Sequence, residues 1–447
     1  MGTAPVDRPL RRHRPFLLLC GEQIAGSVGR QTTTLALALL AVTGLGAGPL
    51  GAAALLALTY LPGALLSPLA GLLVDRMPLR RLVFVATGLQ ALVVGSVPLA
   101  DALGHVGWVH LYAVAVLSGT LTFTLSVALQ AALPRVVATE QLLRANSALT
   151  AARTTGQVGG PALGGVLVGL LGAGPALLAG SAAYAVEALL LLALPASLDS
   201  PVGSRGSGRE SPLAALRAGF AVVRAEWQLR RMVLSAAGLN LGSGAATALF
   251  VLYATDDLSL PAWQLGTVYA VHSAATMVGI LVAGRFARST GLWAATRLCA
   301  PAAGVALFLI PAASLGWAFA LLFAYQVCYG IAATVWAISM TTTQQLVTPQ
   351  ELQGRVAGFV QAALLVTVPV GALGGGALAA WLGNVPVLVA SAGFALLSAA
   401  TLWLPGRAAE ATGAANGAQG VEDGPEASPT GPGGSAKGAG QEGQERH

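Results

Sequence analysis

Charge is what this sequence lacks. Only 9% of its 447 residues are Asp, Glu, Lys or Arg, where a soluble globular chain carries roughly 25%, so an ordinary water-soluble domain is excluded. Cysteine is equally scarce. The three present, Cys20, Cys299 and Cys328, have neither CxxC nor metal-ligand spacing; they predict no metal site and read as small apolar packing groups. No GxxxxGKS/T phosphate loop occurs in the chain, which argues against nucleotide-driven work. The polar segments hold no nucleophile–base arrangement, so neither an enzyme nor a bound cofactor is expected.

What fills the chain instead is apolar: 55% of residues are hydrophobic and mean hydropathy is +0.72. The apolar residues gather into twelve segments, near 16–42, 50–74, 82–100, 108–132, 147–171, 175–195, 232–253, 263–284, 293–312, 317–340, 356–380 and 384–404. Each supplies the ~20 residues that a helix needs to cross a ~30 Å hydrocarbon core. The expected fold is an all-α membrane protein of twelve transmembrane helices.

Arginine placement orients it. Arg8, Arg11, Arg12 and Arg14 precede the first segment, Arg76, Arg80 and Arg81 follow the second, and Arg135 and Arg144 follow the fourth. Arg205, Arg209, Arg217, Arg224, Arg230 and Arg231 follow the sixth, Arg285 and Arg288 the eighth, and Arg355 the tenth. The intervening connections have no Lys or Arg and carry Asp101, Asp256 and Asp257. Basic residues stay on the cytoplasmic side, so both termini are expected in the cytoplasm of a multi-pass cell-membrane protein. The net charge of +6 then faces anionic lipid headgroups, and no nucleic-acid partner is implied. The first segment is too long for a signal-peptide core and is expected to be retained.

The chain repeats itself. QLLRANSALTAARTTGQVGGPALGG from Gln141 resembles QELQGRVAGFVQAALLVTVPVGALGGG from Gln350, which predicts two parallel six-helix repeats with a cavity at mid-membrane between them. The domains expected are a basic N-terminus over 1–15, a six-helix bundle over 16–195, a linker over 196–231, a second bundle over 232–404 and a tail over 405–447. The linker begins Gly/Ser-rich and continues as a helix from Ser211-Pro212, whose apolar face collects Leu213, Leu216, Phe220, Val223 and Trp227; such a helix is expected on the cytoplasmic surface. The tail is rich in Gly, Ala, Glu and Ser and reads as disordered.

Two motifs carry a family resemblance. GLLVDRMPLRR, with Gly71, Asp75, Arg76, Arg80 and Arg81, resembles the signature between the second and third spans of the major facilitator superfamily. In the second half Gly284 stands where a repeated acid would be, so a lock built on Asp75 would be asymmetric. Gly156, Gly160, Pro161, Gly164 and Gly165 resemble the GxxxGPxxGG motif of that superfamily's antiporters; small residues at this spacing give a flat packing face, and Pro161 permits a bend. LPRVVATEQLLRANSAL and LAALRAGFAVVRAEWQLRRMV are similar to the enterobactin-exporter and macrolide-efflux branch. The resemblance implies export of small organic molecules by alternating access, with protons as the coupling ion. Against the usual proton route, GTLTFTLSVALQ in the fourth span carries no Arg.

Ionisable groups inside spans are costly and point to function. Glu22 and Glu187 are the expected proton carriers. Arg30, about 22 Å along its helix from Pro15, is too deep to reach the cytoplasm and is expected in the cavity, held by substrate or by a carboxylate such as Glu187. Arg153, nearer a helix end, is expected to snorkel. Tyr325, Tyr329 and Trp336 share a helix face with Met340 and suit a bulky apolar or cationic ligand or plain core packing equally; Asn240 and His272 complete the cavity set. The expected partners are a small-molecule substrate, protons and the lipid bilayer, with no obligate protein partner. Alternatives are an uptake facilitator or metabolite permease, and a membrane sensor that does not transport.

Overall fold

The protein's computed structural model describes residues 10, 13–137, 141–195, 212–349 and 352–404. Most of the basic N-terminus, the linker up to Ser211 and the tail expected to be disordered therefore lie outside the described residues. By its internal contacts the chain divides into two units, residues 1–403 and 404–447; of the second, only Leu404 is described.

No strand occurs among the described residues. That is the outcome hydrocarbon demands, because a helix satisfies every backbone donor and acceptor within itself. The helices are α1 Arg14–Leu39, α2 Pro49–Arg76, α3 Leu79–Ala102, α4 Trp108–Val136, α5 Leu142–Leu171, α6 Ala173–Leu192, α7 Pro212–Ala225, α8 Trp227–Leu252, α9 Ala262–Thr290, α10 Leu292–Leu307, α11 Leu309–Ala312, α12 Ala318–Val347, α13 Gln353–Leu382 and α14 Asn384–Ala400. Among the described residues, nine stretches are long and apolar enough to cross a membrane. The other three expected spans are filled by α1, α2 and α5. Of these, α2 is apolar over Pro49–Gly63, whereas α1 and α5 carry Glu22, Arg30 and Arg153. The ninth expected span is interrupted: α10 stops at Leu307, and α11 and a 3-10 turn at Ala313–Leu315 finish it.

The two halves pack alike. In the first, α1 lies against α5 and α6, α3 against α4 and α6, and α2 against α4; in the second, α8 lies against α13 and α14, α10 against α12 and α14, and α9 against α12. Local irregularities repeat as well. α1 ends in a π-helical turn, Leu40–Gly44, and α8 ends in another, Tyr253–Asp257. Leu45 N–H donates to Leu40 O, and Leu258 N–H donates to Tyr253 O. Gly172 between α5 and α6 has φ +88° and Gly383 between α13 and α14 has φ +83°, a left-handed bend that glycine makes without a Cβ clash. Side chains such as Leu92, Leu397 and Trp381 point outward at 73%, 73% and 90% exposure, as a surface solvated by lipid tails requires.

α7 packs on α13 and α8. Gly219 sits over the Arg355 carbonyl, and the Phe220 ring meets Phe359 at 5.5 Å. Its apolar face is thus divided, with Val223 buried on the protein and Leu216 and Phe220 left exposed.

Candidate functional site

A cavity of about 580 Å³ is walled by α1, α4 and α5. Leu19, Leu133 and Leu149 line it near the arginine-rich end of the bundle, and Glu22, Arg30, Thr122, Arg153 and Gln157 line its deeper part. Glu22 and Arg30 are two turns apart on α1, which brings both to one face of the helix.

At this wall Glu22 backs onto a second buried glutamate, Glu187. Glu22 and Glu187 are each 0% exposed, and their carboxyl groups lie within hydrogen-bonding reach of one another. Gln23 Nε2 donates to Glu22 Oε2 at 2.9 Å. Among the described residues no donor meets Glu22 Oε1 or either oxygen of Glu187. Two carboxyl groups bond to each other only when one carries a proton. Gly26 makes the contact possible: a Cβ there would lie 2.7 Å from Glu187 Oε2.

Arg30 Nη2 donates to Ser27 Oγ at 3.0 Å. No ion pair within 4 Å joins it to an acid among the described residues, but its charge acts on both Glu22 and Glu187. It also repels Arg153 across the cavity. Arg153, expected to snorkel, is exposed and lines the cavity wall. Distance from a helix end alone could not reveal this, because what lies beside that end of α5 is a cavity and not lipid. Gln157, one turn further along α5, and Thr122, which accepts a 2.9 Å hydrogen bond from Gln90 Nε2, were likewise absent from the expected site. Uncharged polar residues inside spans leave only a weak signal in sequence.

The glycine motif of α5 resolves into two faces. Gly156, Gly160 and Gly164 pack on α1: a Cβ at Gly156 would lie 2.5 Å from the Ile24 carbonyl, one at Gly160 2.7 Å from Gln31 Cβ, and one at Gly164 3.2 Å from Thr32 Cα. Gly165 instead meets the backbone of Gly266 on α9, and the Pro161 carbonyl faces the same glycine. That contact joins the two halves. Its counterpart is Gly376 of α13 against Ala53 and the Pro49 carbonyl of α2. Both seams lie toward the arginine-poor end, opposite the outer part of the cavity.

The remaining expected cavity residues gather in the second half, away from these walls. Tyr325 and Tyr329 stand 5.4 Å apart, and His272 stacks on Tyr329 at 6.2 Å. Trp336 and Tyr325 are each 6% exposed, while Asn240 reaches toward the Leu364 carbonyl at 3.5 Å. In the loop motif, Arg80 Nε donates to the Leu192 carbonyl at 3.0 Å, satisfying the C-terminus of α6 where a cation is favoured, and Arg81 is exposed. Gly71, Asp75 and Arg76 belong to α2, but their side chains lie outside the described residues.

Residues 23–365 match the Major Facilitator Superfamily. The chain is 29% identical over 340 residues to the enterobactin exporter EntS of Shigella dysenteriae serotype 1, covering 75% of this chain and 78% of that one. It is 27% identical over 396 residues to the uncharacterized MFS-type transporter YfiS of Bacillus subtilis (strain 168), covering 85% and 90%. In fold it is similar to a bacterial homologue of the iron transporter ferroportin in an inward-facing state, with TM-score 0.67 at 19% identity over 88% of this chain and 98% of that one. It is similar also to the nucleoside transporter NupG, with TM-score 0.68 at 15% identity over 87% and 98%.

Proposed function

The chain belongs to the Major Facilitator Superfamily, which makes it a membrane transporter and not an enzyme, and from that membership we propose that it exports small organic molecules from the cytoplasm by proton antiport. One observation carries the proposal. The cavity runs from the arginine-rich end to the Glu22–Arg30 face of α1, while the opposite end is joined by glycine contacts between the halves. With the arginine-rich end and both termini placed in the cytoplasm, this is the conformation that loads cargo from inside. The likeness to a relative named as an exporter supports the direction.

In this scheme each domain keeps its expected bounds, 16–195 and 232–404, and the two rock about the seams at Gly165 and Gly376. The Glu22–Glu187 carboxyl pair carries the proton. Arg30, whose charge is felt by both acids, links proton release to cargo. Asp75 holds the cytoplasmic helix ends together when the cavity faces outward. Asn240, His272, Tyr325, Tyr329 and Trp336 supply the opposite wall when the halves close on cargo.

The test is a comparison of the compounds released into the medium by cells with and without the protein, with reporters fused after residue 405 and inserted at Asp256. A small organic compound enriched outside, lost on collapse of the proton gradient and lost in Glu187→Gln, is the expected result, with the first reporter cytoplasmic and the second external. Enrichment inside the cells, or reversed reporters, would refute export.

A further inference from the structure

The charges on the cavity wall do not balance. Arg30 and Arg153 both line it, close enough for each to feel the other's repulsion. No acidic group lies within ion-pairing distance of Arg153 among the described residues. Of the two acids nearby, Glu187 is not part of the wall and Glu22 is 0% exposed. Glu187 lies against Gly26, so Glu22 is the one acid that the wall itself contributes among the described residues. Two guanidinium groups against one lining acid leave an excess of one positive charge on the wall among the described residues.

We propose that this cavity takes a small organic monoanion, its acidic group held between Arg30 and Arg153. The proposal deepens the export reading and depends on it only for the movement of the ligand. A guanidinium presents paired N–H donors in the planar geometry that a carboxylate accepts. Gln23 and Gln157 add donors, and Leu125, Leu129 and Leu149 offer an apolar surface for the body of the ligand. A volume of about 580 Å³ falls in the range of sites for drug-sized molecules. A cation placed there would meet both arginines, with Glu22 as the one acid among the described lining residues to offset them.

The experiment uses the full-length protein in uncharged detergent with benzoate, 1-naphthoate and octanoate, each paired with its uncharged amide, and with 1-naphthylmethylamine as a cation. Binding is read by calorimetry and by the shift in melting temperature. At least one acid is expected to bind tenfold or more tightly than its amide and than the cation. Arg153→Gln is expected to remove that preference, losing roughly tenfold or more in affinity, the scale of a hydrogen bond to a charged group. Arg153→Lys should retain part of it, and Arg30→Gln should act in the same direction wherever the variant folds. If no acid is preferred over its amide, or if Arg153→Gln keeps the preference, the proposal is wrong. A lipid phosphate is the other source of a monoanion. If acid binding persists in phosphatidylcholine nanodiscs but disappears in phosphatidylglycerol nanodiscs, the pair holds a headgroup and not a soluble cargo, which overturns the proposal. Vesicle flux separates this idea from the one it rests on: an acid that binds through Arg153 but never crosses leaves the anion site standing and removes the export reading, whereas flux of the cation without acid binding does the reverse.

Discussion

The two halves share one packing scheme and differ in what they bury within it. In the first half Glu187 of α6 sits against Gly26 of α1; in the second, Ser398 of α14 sits against Gly238 of α8. Deeper in α8 the polar residues are uncharged, Asn240 and Ser243 among them. The serines satisfy themselves on nearby carbonyls: Ser398 Oγ donates to Ala395 O at 2.7 Å and Ser243 Oγ to Asn240 O at 3.3 Å. The glutamates have no such recourse. A charge at the centre of a membrane helix costs about 2.5–3.5 kcal/mol, so fold alone would favour the serine version. The fold is therefore set by small residues at helix crossings, and in the proposed scheme transport chemistry rests on a few charged replacements in one half.

Exchanging the acid breaks the comparison most severely. Glu187→Gln is expected to lower transport driven by a pH gradient about a hundredfold or more, the scale on which an essential proton-transfer group acts. Counterflow exchange of preloaded substrate should continue, because it needs no net proton release. Ser398→Ala, at the equivalent place, removes hydrogen bonds worth about 1 kcal/mol and should leave flux within about twofold. Equal losses in the two variants, measured in the same vesicles, would mean the halves do not differ in role.

A smaller effect is expected at the seams, where contacts within a half and between halves can be told apart. Gly160→Val forces α5 off α1 inside the first half and should destabilise the protein by about 1–3 kcal/mol, the usual cost of overpacking. Gly165→Val instead pushes against Gly266 across the halves. Stability should change less, and the arginine-poor end should open, raising maleimide labelling of a cysteine introduced at Ala262 by about tenfold. An unchanged labelling rate in folded Gly165→Val would show that this seam is not the gate.

Much of this was legible in the sequence because membranes impose few solutions. Apolar length located the helices, and the α5 glycines announced a packing face. Division of that face was not legible: Gly165 and Gly160 look alike in sequence, and Gly266, in QLGTVYA, belongs to no motif that would identify it as a partner across the halves. Glu22 and Glu187 were each recognisable by the cost of burying an acid, but their contact depends on Gly26, whose role emerges only when α1 and α6 are packed. Arg30 was expected to need a partner; its hydrogen bond goes to Ser27, three residues back on its own helix, a local solution that a search for opposite charges passes over. The aromatic face of α12 was equally compatible with core and cavity, and Tyr325 and Trp336 are nearly buried.

The smallest expected effect concerns the loop motif, which the first half has and the second lacks. Asp75→Asn should reduce flux severalfold while leaving substrate binding within about twofold, because a lock on helix ends acts on the change between states and not on the cavity. Restoring the missing acid should do little. A Cβ at Gly284 would lie 3.5 Å from Arg288 Nη1, so in Gly284→Asp the new carboxylate would pair with an arginine four residues on in the same helix. Such a pair is worth about 0.2–0.5 kcal/mol and is present in either conformation, since both partners move together. It cannot favour one state over the other. Gly284→Asp should therefore change melting temperature by no more than a degree or two and should fail to rescue Asp75→Asn. Rescue of flux in the double variant would mean that the acid acts from either half, and that the asymmetry of the motif is an accident of sequence rather than part of the mechanism.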